Sequence, residues 1–191
     1  MTHLFQGEFA DILAAARRPW VPALWLALLA WAGWVVPEHL VPAGLFAVLL
    51  ALVVGVDVRT FTIPNLLTAA LALLGVAFAP QGSMALLAVA VGYAVFMLIA
   101  FLAQYLTGKH GLGQGDVKLF AAVGPWVGLA GLPLVALLAS WAALAYILLA
   151  RHPKGAKLPF GPFLAAGGWL AYLYGPAIWA LFQKASSYAA G

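Results

Sequence analysis

The chain has 191 residues, of which 66% are hydrophobic and only 7% charged, against roughly 25% charged in an ordinary soluble domain, and its mean hydropathy is +1.05. A soluble globule of this size cannot hide so much apolar surface and disorder needs the opposite composition, so the solvent is lipid. Nine Lys/Arg against five Asp/Glu leave a net charge of +4, too sparse for a nucleic-acid footprint, and the absence of Cys excludes disulfides, thiolate metal sites and a Cys nucleophile.

In chain order, residues 1–18 predict an amphipathic helix lying on one membrane face. Phe5, Phe9, Ile12, Leu13 and Ala16 recur at helical spacing, with Glu8, Asp11 and Arg18 elsewhere on the wheel. Arg17 and Arg18 precede an apolar run too long for a cleaved signal, which continues into further spans, so a retained first helix is expected. A crossing needs roughly 20 mostly apolar residues. Candidate spans are 20–36, 41–56, 66–79, 84–106, 117–130, 132–150 and 160–182, with 117–130 the weakest. Pro37-Glu38-His39, Pro80-Gln81-Gly82 and polar loops around Gly108 and Pro153 separate them with turn chemistry. The expected fold is all-α: a polytopic bundle of six to seven transmembrane helices over residues 19–191, preceded by the interfacial helix.

Seven spans place Arg17, Arg18, Arg59, Lys109, Lys118, Arg151, Lys154 and Lys157 on one side and Lys184 on the other. That split makes the first side cytoplasmic by the positive-inside rule, with the N-terminus inside. Seven spans put the C-terminus outside, six put it inside.

Five acidic residues make the search for chemistry short. Glu8 and Asp11 fall on the solvated face of the amphipathic segment, and Glu38 in an outward turn beside His39. Asp57 and Asp116 each stand at the cytoplasmic end of a span, where a carboxylate is a functional candidate by default. Two bland alternatives stand beside that: Asp57 paired with Arg59, and Asp116 paired with Lys118 or capping a helix that begins at Val117. Gly111, Gly113 and Gly115 alternate directly before Asp116. Glycine there permits positive φ and close backbone approach. A phosphate cradle is the rival glycine-rich reading, but no Ser/Thr or Lys follows in P-loop spacing and an Asp occupies the helix start. Two converging carboxylates can share one proton, since like charges at short range cannot both ionise. The ionised member then takes a proton from water and the protonated one donates to a carbonyl. His110 and His152 lack the third ligand a zinc site would need.

Three segments resemble the type IV prepilin leader peptidases, membrane aspartic proteases of the GxGD type. Asp57-Val-Arg-Thr-Phe-Thr-Ile63-Pro64-Asn65 is similar to the family's first-aspartate segment. Gly113-Gln-Gly-Asp116-Val-Lys118-Leu119, followed by Gly124, resembles its GxGD signature, and Pro159-Phe160-Gly161-Pro162 its late segment. The three lie in the right order on one face, and the resemblance covers about residues 45–175. It implies that Asp57 and Asp116 are the catalytic pair, that Gly113 and Gly115 shape the loop, that Pro64 and Asn65 position the turn after Asp57, and that Lys118 orients Asp116 or attracts substrate. Each secondary position has a plainer alternative: a helix-starting turn for Pro64 and Asn65, a positive-inside anchor for Lys118, and a structural break for residues 159–162.

The resemblance further implies a cofactor-free endopeptidase of the bacterial inner membrane, cleaving prepilin or pseudopilin precursors after a leader glycine in pilus assembly or type II-like secretion. Many bacterial members carry an insert near the N-terminus, with paired cysteines, that N-methylates the product. Here no Cys is present and the connection after the first span is a few residues long, so a peptidase-only member is expected, like those serving tight-adherence pili or preflagellin processing. Two other classes compete. A presenilin-type protease expects a Tyr-Asp motif, whereas Val56 precedes Asp57. A proton-coupled transporter expects midplane carboxylates and broken inverted repeats.

Overall fold

A computed structural model describes residues 2–79, 82–108, 112–151, 153 and 156–189. The expectations that fall on Pro80, Gln81, Lys109, His110, Gly111, His152 and Lys154 lie outside the described residues. Among the described residues the chain forms eight α-helices and no strand: α1 (Thr2–Ala16), α2 (Trp20–Val35), α3 (Leu40–Thr60), α4 (Asn65–Phe78), α5 (Ser83–Thr107), α6 (Gln114–Val127), α7 (Leu132–Leu149) and α8 (Gly161–Ala189). Each of the seven predicted apolar segments is a helix. The segments Pro37–Thr60, Ser83–Leu106 and Leu129–Leu149 are long and apolar enough to cross a bilayer. The molecule is a helical membrane bundle.

Its core is built around α6, which packs against α4, α5 and α8. With 14 residues α6 is about 21 Å long, yet every residue from Leu119 to Trp126 is buried. A helix enclosed by its neighbours does not need the length of a lipid-facing span, which is why its sequence signal is weak. Small residues let the backbones close up, as in membrane interfaces generally. A Cβ on Gly124 would lie 2.9 Å from the Ala88 carbonyl oxygen of α5, and one on Gly167 2.8 Å from the Val135 carbonyl oxygen of α7. Phe46 of α3 stacks on Trp126 with centroids 4.7 Å apart, and the Trp126 indole N–H donates to the Leu71 carbonyl of α4 at 2.9 Å. By contrast α5 turns Leu86, Leu98, Phe101 and Leu106 outward, as a lipid-facing helix should.

Helix α1 bends 72° away from α2 and packs on α3 and α4. Ala15 is fully buried against Gly55, whose Cβ position lies 3.1 Å from the Ala15 Cβ. Phe9 and Leu13 stay exposed, consistent with an apolar stripe facing lipid. One expectation is incomplete on this helix. Glu8 is only partly exposed, and its carboxylate bonds the first residues of α4. The unsatisfied N–H groups at a helix start attract an acceptor, and α1 lies close enough to supply one.

Candidate active site

Asp57 lies in the last turn of α3, which runs one turn further than the apolar pattern suggests. It is 3% exposed. Its Oδ2 accepts the backbone N–H of Gly161 at 2.9 Å. That N–H opens α8 and has no intrahelical partner, so the carboxylate is held by the start of another helix, while Arg59 is exposed and among the described residues makes no ion pair with it. Gly161 is the only residue type that fits there, since a Cβ would stand 2.6 Å from Asp57 Oδ2. Residues 156–160 are non-helical, so the Pro-Phe-Gly-Pro segment is a structural break as expected, and it also brings an amide to Asp57.

After Asp57 the chain turns sharply. The Phe61 N–H donates to the Asp57 carbonyl at 2.9 Å, with Phe61 in the left-handed region at φ 53°. The Thr60 hydroxyl meets that of Thr62 at 2.8 Å. Pro64 is extended, with φ −59° and ψ 136°, and α4 begins at Asn65. The plain alternative for Pro64 and Asn65, a helix-starting turn, therefore holds.

Asp116 is not the cap of a helix beginning at Val117. The helix starts at Gln114, and Asp116 sits inside its first turn, where an anion complements the helix dipole. The Gly113 N–H bonds back to its carboxylate, the arrangement of an acidic residue three positions after a cap. Burial first, and then the negative charge of Asp57, hold the Asp116 carboxyl up at about 6, against the Gly113 bond, which favours the ionised form. Gly113 and Gly115 allow close approach and do not adopt positive φ. Gly113 has φ −73°, and a Cβ on it would lie 3.1 Å from Asp116 Oδ2. A Cβ on Gly115 would lie 3.2 Å from the Ile63 Cβ, so Gly115 lets the start of α6 rest on the turn after Asp57.

These parts enclose a cleft of about 320 Å³ whose walls include Asp57, Ile63, Asn65, Gly113, Gly115, Asp116, Lys118 and Phe160. Both carboxylates, both glycines, Asn65 and Lys118 thus line one space, and Pro64 stands just outside it. Lys118 Nζ donates to Asn65 Oδ1 at 2.7 Å. Two residues escaped the sequence reading. Gly161 was visible as part of a segment but not as a partner of Asp57. Glu8 had no local signal, because its partners lie 57 and 58 positions away. Among the described residues no group of three His, Cys, Asp or Glu side chains is arranged to hold a metal ion.

A family model described as the type IV leader peptidase family matches residues 44–148, more than half of the chain. Curated relatives named prepilin leader peptidase/N-methyltransferase are similar to it. The protein from Aeromonas hydrophila is 39% identical over 132 residues, covering 64% of this chain and 46% of the relative. The one from Neisseria gonorrhoeae is 33% identical, covering 65% and 45%. The one from Burkholderia pseudomallei (strain 1026b) is 40% identical, covering 69% and 45%. The match thus spans less than half the length of each of these relatives. No solved structure matches the chain.

Proposed function

Because the chain belongs to the type IV leader peptidase family, we propose that it is a membrane-embedded aspartic endopeptidase that removes the short basic leader from type IV prepilin-like precursors, in support of pilus assembly or type II-like secretion. The observation that carries this is the meeting of Asp57 and Asp116 in one cleft from two different helices. Each is anchored by a backbone amide, Gly161 for one and Gly113 for the other. Carboxylates that line one cleft, with the charge of one acting on the other, can share one proton. The ionised member takes a proton from water, whose oxygen adds to the scissile carbonyl carbon. The protonated member gives its proton to the carbonyl oxygen, forming a gem-diol. The member that took the water proton then gives it to the leaving nitrogen while the other takes a proton back from a hydroxyl, and the C–N bond breaks to release the amine. No cofactor enters these steps. Incubating detergent-solubilised protein with a prepilin and reading the products by mass spectrometry is the test, with cleavage after the leader glycine expected. An intact precursor would refute the proposal.

The same reaction tests a second expectation. The connection between α2 and α3 is the single 3-10 turn Pro37–His39 and the chain holds no Cys, so the features that the resemblance ties to methyl transfer are missing there. With labelled S-adenosylmethionine present, the leader should be released and no label should reach the new N-terminus. Methyl transfer by this chain alone would overturn that expectation.

We further propose that the cleft faces the cytoplasm from the inner membrane, with residues 1–18 along that face and residues 19–191 as the peptidase domain. Support comes from the positions of eight of the nine Lys/Arg. A Cys-free chain makes this easy to check. Gln114→Cys, on the cleft wall, should resist an impermeant thiol reagent applied from outside, and Glu38→Cys should react with it. The reverse pattern would invert the topology.

A further inference from the structure

The cleft is also held from α1, a helix with no residue among those described in its walls. Glu8 Oε1 accepts the backbone N–H of Asn65 at 3.1 Å and its side-chain Nδ2 at 3.0 Å, and Oε2 accepts the Leu66 N–H at 3.1 Å. Helix α4 has no side-chain cap at Pro64, so the two backbone bonds make Glu8 a carboxylate cap supplied by another helix, favoured by the helix dipole. The bond to Nδ2 does something a cap does not. A primary amide has a donor end and an acceptor end. With Nδ2 turned to Glu8, Oδ1 faces the other way, and there it accepts from Lys118 Nζ at 2.7 Å. Asn65 and Lys118 line the cleft with both aspartates, and Lys118 follows Asp116 by two residues. A lysine ammonium rides on a flexible four-carbon stem. Left unanchored beside two carboxylates, it would pair with one, favour its ionised form and remove the proton the pair must share.

We propose that Glu8 is a positioning residue for the cleavage reaction: it sets the Asn65 amide, which holds the Lys118 ammonium in the cleft wall. The proposal rests on the peptidase reading above and adds to it a residue in a different helix, outside the matched region 44–148. Glu8→Gln keeps the length of the side chain but leaves a single acceptor oxygen for three N–H donors and turns an NH₂ group toward them. It should lower kcat roughly tenfold, since small misplacements in a reacting site carry such costs, and leave KM within about twofold.

The test is a cycle of four full-length proteins in liposomes: wild type, Glu8→Gln, Asn65→Ala and the double variant. For each, kcat, KM and Tm are measured. The Asn65→Ala variant removes the relay but keeps the backbone N–H groups of residues 65 and 66. Glu8→Gln should therefore still lower Tm in that background, by loss of the cap, while causing no further fall in kcat. An equal fall in kcat in both backgrounds would make Glu8 a cap and nothing more, and full kcat in Glu8→Gln would likewise overturn the proposal. A wild-type protein that cleaves nothing would instead refute the peptidase reading itself.

Discussion

Asp57→Asn and Asp116→Asn should each lower cleavage of a precursor by on the order of 10³-fold or more and leave the protein folded and inserted. Asn matches Asp in shape and keeps an oxygen for the Gly161 or Gly113 N–H, but it neither takes a proton from water nor shares one. The double variant should be hardly worse than either single, because members of one catalytic unit are non-additive. Stability gives an independent arm. The Asp116 carboxyl is raised to about 6 by burial and by the Asp57 charge, so the folded state binds its proton more tightly than the unfolded chain does. Stability attached to that proton is fully present below the ordinary carboxylate range and is lost as pH rises through about 6. Asn carries no charge to bury. Asp116→Asn should thus be more stable than wild type at pH 8, by on the order of 1–3 kcal/mol, with the gap closing near pH 4. Tryptophan-monitored melts across pH would record it. Full cleavage by either variant at normal abundance would remove that residue from the site.

Gly161→Ala should also lower cleavage, by up to about a hundredfold, although it changes no chemical group. The added methyl would stand 2.6 Å from Asp57 Oδ2 and 3.0 Å from its Cγ, distances real side chains do not hold. Either the carboxylate turns away or the start of α8 retreats, and both break the 2.9 Å bond. A displacement on the order of 1 Å costs up to about a hundredfold in rate. Gly175→Ala on the same helix is the control. Beyond its chain neighbours nothing lies within 4 Å of its Cβ position, so activity should persist, although Pro176 next in the helix makes a Cβ there no gain in stability. Wild-type turnover by purified Gly161→Ala would show that the bond to α8 does not position Asp57.

Much of this molecule was legible in its order of residues because the relevant forces act locally. Apolar runs and turn residues mark where the helices lie, closely for the predicted 84–106 and the observed Ser83–Thr107, less closely where polar residues extend a helix, as for 41–56 against Leu40–Thr60 and 160–182 against Gly161–Ala189. The two aspartates stood out because a carboxylate at the end of an apolar span is costly without a purpose, and the Pro-Phe-Gly-Pro break was visible in the chemistry of its own residues. What escaped was decided between distant segments. The anchoring of Asp57 by Gly161 joins positions 104 apart, and Glu8 reaches α4 only because α1 folds back over it. The alternating glycines could be read as a flexible loop or as a place of close contact, and only the neighbours of Gly113 and Gly115 select the second. Periodicity and turn chemistry depend on residues a few positions away, so a single chain displays them. Which amide meets which carboxylate depends on how helices stack, and that was decided by the bundle around α6.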